Sequence, residues 1–222
     1  MSGPSRFDRT AGRYAAEAAT RDWSGVVELC RAAPDDRALD VGAGPGMLSA
    51  ALAPHVREAV ALDASAALLD HAPAGVVRVV GDATAMPFDD GAFPIVTCVN
   101  VLHHVAEPDR VLAEMARVLG PDGRLVIQDY LADPDPEAAA RWDDIERLRA
   151  HDHHRLPQEG EVAAALAGHG LRADQERAWD SHWDVGAWCD LAGCDAATTA
   201  QVRELIGAPT YSVRAWRARF VR

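Results

Sequence analysis

Between residues 38 and 128 the chain repeats one pattern: a short, unbroken apolar run, a turn, then a stretch of helical periodicity. The runs at 38–41, 59–62, 76–80, 95–99 and 124–128 predict strands. They do not alternate between apolar and polar residues, so they predict strands buried on both faces, as in a parallel sheet covered by helices. Helices are expected at 46–52, from Ser65 onward, and at 108–119. This alternation predicts a doubly wound α/β fold. Right-handed crossovers then bring the loops after the strands to one edge of the sheet, where ligands bind near the reversal of strand order.

Two helices, 9–19 and 22–32, are expected before the first strand. After residue 128 the periodicity predicts helices at 136–149, 159–167, 185–191 and 196–206, a strand at 171–179 and a closing strand at 211–221. The chain is read as one domain, 1–222, with N-terminal lid helices over 1–33 and a helical cap insertion over 183–207 before the final strand.

The 222 residues suffice for one sizeable core, and 49% of them are hydrophobic. Net charge is -12. That balance repels phosphate backbones and anionic lipid, so neither nucleic acid nor a membrane is expected as a partner. No apolar run approaches the ~20 residues of a transmembrane helix. Residues 1–9 are polar and lack a signal-peptide core. A cytoplasmic protein, monomeric or homodimeric, is expected. Cys30, Cys98, Cys189 and Cys194 read as packing thiols. The chain contains no lysine, all 22 basic residues being arginine. A phosphate-gripping P-loop lysine, a lysine Schiff base and the catalytic lysine of short-chain dehydrogenases are therefore excluded.

The first strand runs into Leu39-Asp40-Val41-Gly42-Ala43-Gly44-Pro45-Gly46. Its glycines allow close approach of a ligand to the backbone. Their alternation differs from the G-x-G-x-x-G dinucleotide fingerprint. Asp40 would repel a pyrophosphate and suits a ligand ammonium. Asp63, at the end of the second strand, can accept from both hydroxyls of a ribose. At the end of the third strand, Asp82 can accept from an exocyclic amine while the Ala83 N–H donates to a ring nitrogen. Any one of these acids could be a helix cap. Three at successive strand ends describe a nucleoside that carries an amino acid and no phosphates.

With these residues the chain resembles the class I S-adenosylmethionine-dependent methyltransferases, and within them the UbiE-like group. The resemblance rests on 39–46, on Leu62-Asp63, on Gly81-Asp82-Ala83 with Met86-Pro87-Phe88, on Phe93 through His104, and on Val118 through Leu125. It implies a Rossmann-like, mostly parallel seven-stranded sheet with its last strand antiparallel. It also implies S-adenosylmethionine as cofactor and a cofactor site of Tyr14, Asp40, Gly42, Ala43, Gly44, Asp63, Ala64, Asp82, Ala83, Asn100, Val101 and His104. Phe7-Asp8-Arg9 with Tyr14 resembles the family's lid helix. Two positions depart from the pattern: Pro94 stands where the family has aspartate, and Asp122-Gly123 replaces a glycine pair.

Methyl transfer is an in-line displacement that depends mostly on orientation, and a base is needed only where the acceptor must lose a proton. His103 and His104, at the exit of the fourth strand, are the candidate bases. One of them at least is expected to position the cofactor instead. The family's nucleic-acid and protein N-methyltransferases usually carry Asn or Asp followed by Pro-Pro-Tyr at this exit. That run is absent here, which favours a small-molecule acceptor. Asp129 and Tyr130 leave the fifth strand at the same edge and are expected to line the acceptor pocket, with Trp183 from the cap. Leu148, Arg149, His153 and Arg155 match a run, Leu-Arg-Asp-Pro-Ser-His-x-Arg, found in UbiE-like proteins, and Arg149 and His153 are expected to reach the acceptor. The adjacent groups at 151–154 cannot converge on one ion, so no metal is expected. Three other readings stay open: cyclisation assisted by the same cofactor, a non-catalytic cofactor-binding regulator, and a nicotinamide oxidoreductase, which the glycine spacing and the missing lysine disfavour.

Overall fold

A computed structural model describes residues 5–222. Positions 1–4 of the polar start and of the lid segment lie outside these residues. The chain places strands β1 (Arg37–Val41), β2 (Glu58–Asp63), β3 (Val76–Val80), β4 (Phe93–Val99), β5 (Leu119–Tyr130), β6 (Arg172–Asp184) and β7 (Thr210–Val221) in one sheet, in the order β3-β2-β1-β4-β5-β7-β6. Strands β1 to β5 pair in parallel, and β7 runs antiparallel to both its neighbours, β5 and β6. Strand order reverses between β1 and β4. The crevice at that switch point opens where the loops after both strands leave the sheet.

Residue parity along the strands explains the two cores. Ala38, Ile95 and Val126 face one side and pack with Val26 and Cys30 of α2 (Ser24–Cys30) and Leu48 and Leu52 of α3 (Met47–Leu52). Their neighbours Leu39, Val41, Val96, Leu125 and Ile127 face the other side, where α5 (Pro108–Val118) and α7 (Glu161–Ala167) cover them through Val111, Met115, Val162 and Leu166. Helices on both faces give the doubly wound architecture read from the unbroken apolar runs.

Two details differ from that reading. Strand β3 is not buried on both faces: Val77 and Val80 are 43% and 59% exposed. It is the sheet edge, and its neighbouring helix α4 (Ala66–Leu69) is a single turn long. Strand β6 runs to Asp184 instead of ending near Trp179, because its register with β7 continues through Trp183↔Tyr211 and Asp184↔Thr210. Trp183 and Asp184 therefore belong to the sheet. The insertion between β6 and β7 consists of α8 (Val185–Ala192) and α9 (Ala196–Ile206), which pack against α6 (Pro136–Arg149) around Ile145, Trp188 and Val202.

Strand β4 begins with a local irregularity. Pro94 has no N–H to give the ladder, and the register with β5 shifts between Phe93 and Ile95. On β5 the extra length falls in Gly120–Gly123, the expected turn, which is looped out within the strand. Phe93 anchors this corner, fully buried and with its ring edge-to-face on Phe88 at 4.9 Å. Phe93→Ala is expected to lower the free energy of unfolding by about 3–5 kcal/mol, read from urea denaturation. A loss below about 1 kcal/mol would mean that the corner is not packed as described.

Candidate active site

The loop leaving β1 holds three left-handed glycines, Gly42 (φ +67°), Gly44 (φ +54°) and Gly46 (φ +70°). A Cβ at Gly42 would lie 2.5 Å from Val101 Cγ2, and one at Gly46 would lie 2.8 Å from Ala72 Cβ. Those two positions are closed by packing. At Gly44 the same atom would meet nothing within 4 Å, so this part of the loop faces open space. The Gly44 N–H donates to Asp63 Oδ2 at 2.8 Å, and the Ser65 N–H donates to Asp63 Oδ1 at 2.8 Å. Burial raises the Asp63 pKa despite these bonds. At the end of β3, Asp82 is exposed and accepts from the backbone N–H and hydroxyl of Thr84, which hold its pKa below the ordinary value.

At the exit of β4, Asn100 is one of two non-glycine residues with positive φ among those described, at +57°. Its N–H is tied to Gln128 O at 2.8 Å, while its buried Oδ1 has no hydrogen-bond partner. A 3-10 turn, Leu102–His104, follows. The buried carboxylate of Asp129 shapes it by accepting from the Leu102 N–H at 2.9 Å, the Tyr130 N–H at 2.8 Å and His103 Nδ1 at 2.5 Å. Burial alone would lower the His103 pKa, but the charge and hydrogen bond of Asp129 outweigh it, and the ring is held above its ordinary value. Because Nδ1 bonds the carboxylate, Nε2 is the ring nitrogen left for other partners. His104 is pushed the other way, well below the ordinary value, by burial and then by the positive field of His103 and Arg6. It stays neutral, with its ring edge-on to Phe7 at 5.2 Å.

Of these groups, Gly42, Gly44, Asp63, Asp82, Asn100, His103 and His104 line one cavity of about 320 Å³. One part runs along the strand ends past Gly42, Ala43, Gly44, Asp63, Ala64, Asp82, Ala83, Asn100 and Val101. Another is an aromatic chamber. Trp142 of α6 stacks on Trp188 of α8 at 5.5 Å, Trp188 meets Tyr211 of β7 at 4.4 Å, and Tyr130 and Trp183 complete the wall. Arg149 lies over Trp188 at 4.2 Å and gives two bonds to Glu146 Oε2, at 3.0 and 2.8 Å. His103 lines the same cavity, its ring 5.9 Å from that of Tyr130. Helix α1 (Arg6–Ala18) covers the opening with Phe7 and Tyr14. It is held by Arg6, which forms a two-pronged ion pair with Asp152 at 2.6 and 2.8 Å and donates to Tyr14 at 2.5 Å.

A family model described as a methyltransferase domain matches residues 39–127, the stretch that contributes every strand-end group of the cavity from Gly42 to His104. Demethylmenaquinone methyltransferase of Mycolicibacterium vanbaalenii is 37% identical over 168 residues, 75% of this chain and 71% of that one. The chain belongs to the UbiE-like methyltransferase family. An uncharacterized methyltransferase of Bacillus subtilis, YcgJ, is 28% identical over 213 residues, 91% of this chain and 84% of that one. Its crystal structure superposes with a TM-score of 0.84 at 24% identity, covering 90% of this chain and 97% of the other. The structure of a geranyl diphosphate methyltransferase in complex with S-adenosylmethionine superposes at 0.66, with 16% identity over 92% of this chain and 84% of that one. Other demethylmenaquinone methyltransferases are matched over about half of their length.

Most of the site residues expected for this methyltransferase from sequence lie on the cavity wall: Tyr14, the loop after β1, Asp63, Ala64, Asp82, Ala83, Asn100, Val101, both histidines, Tyr130, Arg149 and Trp183. Three do not. Asp40 points into the sheet's helical layer, where Thr97 Oγ1 and Ser49 Oγ donate to it, each at 2.9 Å, and it does not line the cavity. Asp129 stands behind His103 and is fully buried. His153 turns away to Asp143, at 2.8 Å from Nε2. In exchange the cavity takes in Trp142, Glu146 and Tyr211, which the sequence reading left out. Trp142, Glu146 and Arg149 are spaced i, i+4, i+7 on α6, the signature of one helix face, and that signal was present in the sequence.

Asp40 makes a clean pH test. Burial, the largest cause, raises its pKa from 3.8 to about 6, against the opposing bonds from Thr97 and Ser49. A folded pKa above the unfolded one means that folding favours the protonated acid. The associated stability is complete below pH ~4 and is lost as the pH rises through the folded value. Relative to Asp40→Asn, the wild-type chain is expected to lose about 3 kcal/mol of unfolding free energy between pH 4 and pH 8, measured by urea titration of both proteins. A constant difference would show that Asp40 is solvated.

Proposed function

We propose that this methyltransferase binds S-adenosylmethionine across the ends of β1, β2 and β3 and transfers its methyl group to a small molecule in the aromatic chamber. The observation that carries the reading is the meeting of Gly44, Asp63 and Asp82–Ala83 from three successive strand ends on one cavity, which continues past His103 into that chamber. The donor and acceptor set fits the cofactor. Asp63 offers a carboxylate to ribose hydroxyls, and the Ala83 N–H and Asp82 carboxylate suit an adenine edge. The orphaned Oδ1 of Asn100 is a buried acceptor that lacks a donor, and the cofactor's ammonium can supply one. When bound, the cofactor supplies an electrophilic methyl on a sulfonium.

The chain's own residues do the rest. Phe7 and Tyr14 close α1 over the cavity and exclude water from the reacting centre. The aromatic wall holds a flat or apolar acceptor so that its nucleophile meets the methyl in line. Asp129 accepts from Nδ1–H and so fixes His103 in the tautomer whose Nε2 can take the acceptor's proton. Neutral His104 packs against Phe7 and supports the lid.

Two experiments test this reading. S-adenosylhomocysteine is expected to bind and to raise the melting temperature by mass action. Asp63→Ala is expected to weaken that binding by about 1.5–3 kcal/mol for each charged hydrogen bond lost, by calorimetry, with Asp63→Asn between the two. Absence of any shift or heat would sink the cofactor assignment.

With an acceptor in hand, His103→Ala is expected to lower turnover about 10²–10⁴-fold and to leave the affinity for S-adenosylhomocysteine unchanged. Activity should rise with pH along a limb set by His103, above the ordinary histidine value of about 6.5. Asp129→Asn removes the group that raises that pKa, so the limb should move to lower pH. A limb that stays in place, or a His103→Ala enzyme of full activity, would remove His103 from the proton's path.

A further inference from the structure

A second hollow of about 410 Å³ adjoins the cavity on the α2 side of the sheet. The two have Glu17, Arg21, Trp23, Asn100, Tyr130 and Trp183 in common as wall residues. Its floor is one face of the β6–β7 ladder, on which Arg177 stands directly opposite Arg217. Like charges at directly opposed positions destabilise a sheet. Other arginines of the same sheet have carboxylates, Arg219 with Asp174, Arg37 with Glu58 and Arg124 with Asp36, whereas Arg172 and Arg214, which do not line the hollow, have none in ion-pair contact among the described residues. Among the described residues, neither Arg177 nor Arg217 has a carboxylate in ion-pair contact, although the chain has 34 acidic residues.

Arg217 is half-buried and held in place. Its Nε donates to Gln128 Oε1 at 2.9 Å, and its guanidinium lies over Trp179 at 5.1 Å. Gly25 leaves room for it, since a Cβ there would collide with the guanidinium. Two acids, Glu17 and Asp22, also face the hollow, and neither forms an ion pair with Arg177 or Arg217. Glu17 is engaged by Arg21 at 2.6 Å, and Asp22 accepts from the Ser24 N–H at the start of α2. Burial and the charge of Arg177 depress the Arg217 pKa, and the attraction of Asp22 only partly opposes them.

The position of the pair relates it to the reacting centre. Arg217 lies opposite Gln128 and Ala215 opposite Tyr130, so the arginines sit two residues, about 7 Å, along the strands from Tyr130. Trp179, level with Ala215, and Trp183, level with Tyr211, lie on the same face. A single molecule can therefore place an apolar body on the tryptophans and Tyr130 while a charged end reaches the arginines. Guanidinium groups bind carboxylate and phosphate through paired N–H donors.

We infer, building on the methyl-transfer reading above, that Arg177 and Arg217 form an anion-binding subsite for the methyl acceptor, which is an apolar molecule bearing a carboxylate or phosphate group. The test is calorimetry on protein saturated with S-adenosylhomocysteine, with 2-naphthoate, 2-naphthyl phosphate and the neutral naphthalene-2-carboxamide as probes. At least one anion is expected to bind about tenfold more tightly than the carboxamide, and the better of the two identifies the charged group. Arg217→Gln and Arg177→Gln should each reduce that preference, the double variant should abolish it, and Arg217→Lys should keep part of it. Carboxamide and S-adenosylhomocysteine affinities should stay unchanged in all of them, which separates lost charge recognition from a damaged fold. Equal affinities for the three probes, failure of all three to bind, or a preference that survives the double substitution would overturn the inference. Failure of S-adenosylhomocysteine to bind the wild-type protein would instead strike the methyl-transfer reading on which it builds.

Discussion

One buried carboxylate organises the exits of β4 and β5. Asp129 sits at the tip of β5 with no exposed surface, and an ionised acid there is tolerable only if its lone pairs are filled. Leu102 N–H, Tyr130 N–H and His103 Nδ1 fill them. The same three bonds set the 3-10 turn after β4, the direction of the Tyr130 backbone and the orientation of the His103 ring. Val101 enters this turn with its side chain against the Gly42 backbone, where no Cβ fits. The glycine loop after β1 and the histidine turn after β4 are thus packed directly on one another across the switch point. The part of the cavity that suits the cofactor and the part that suits the acceptor are fixed by the same contacts.

The parallel core was legible because its causes are local. Unbroken apolar runs require two covered faces, and acids and glycines at strand ends keep their roles wherever the strands go. All of the observed strands appear in the sequence reading, with the largest boundary errors at β5, which begins at Leu119 because it takes in the expected turn, and at β6. Its residues beyond Trp179, Asp180 through Asp184, are polar or aromatic, and only their pairing with β7 makes them a strand. The exposure of Val77 and Val80 followed from strand order, which places β3 at the edge.

Side-chain partners across long sequence separations were the illegible part of the site. Asp129 and His103 are 26 residues apart, and nothing in either segment says that one stands behind the other. Asp40 has the position of an ammonium ligand, yet Thr97, 57 residues away, and Ser49 claim its oxygens. His153 looked available within a run of polar residues, but Asp143, one helix face earlier, holds its Nε2. Glu146 is the converse case: its helical spacing with Trp142 and Arg149 marked the cavity-facing side of α6, and the face was hidden only by the charged residues around it.

In the arrangement proposed above, one continuous cavity holds the cofactor along the strand ends and the acceptor in the aromatic chamber, with His103 between them. A crystal structure of the protein with S-adenosylhomocysteine tests it most directly. The ribose is expected on Asp63, the adenine beside Asp82 and Ala83, the ammonium within reach of Asn100, and the sulfur directed toward His103 and Tyr130. S-adenosylhomocysteine bound with its nucleoside in the chamber of Trp142, Trp188 and Tyr211, or away from Asp63, would contradict it.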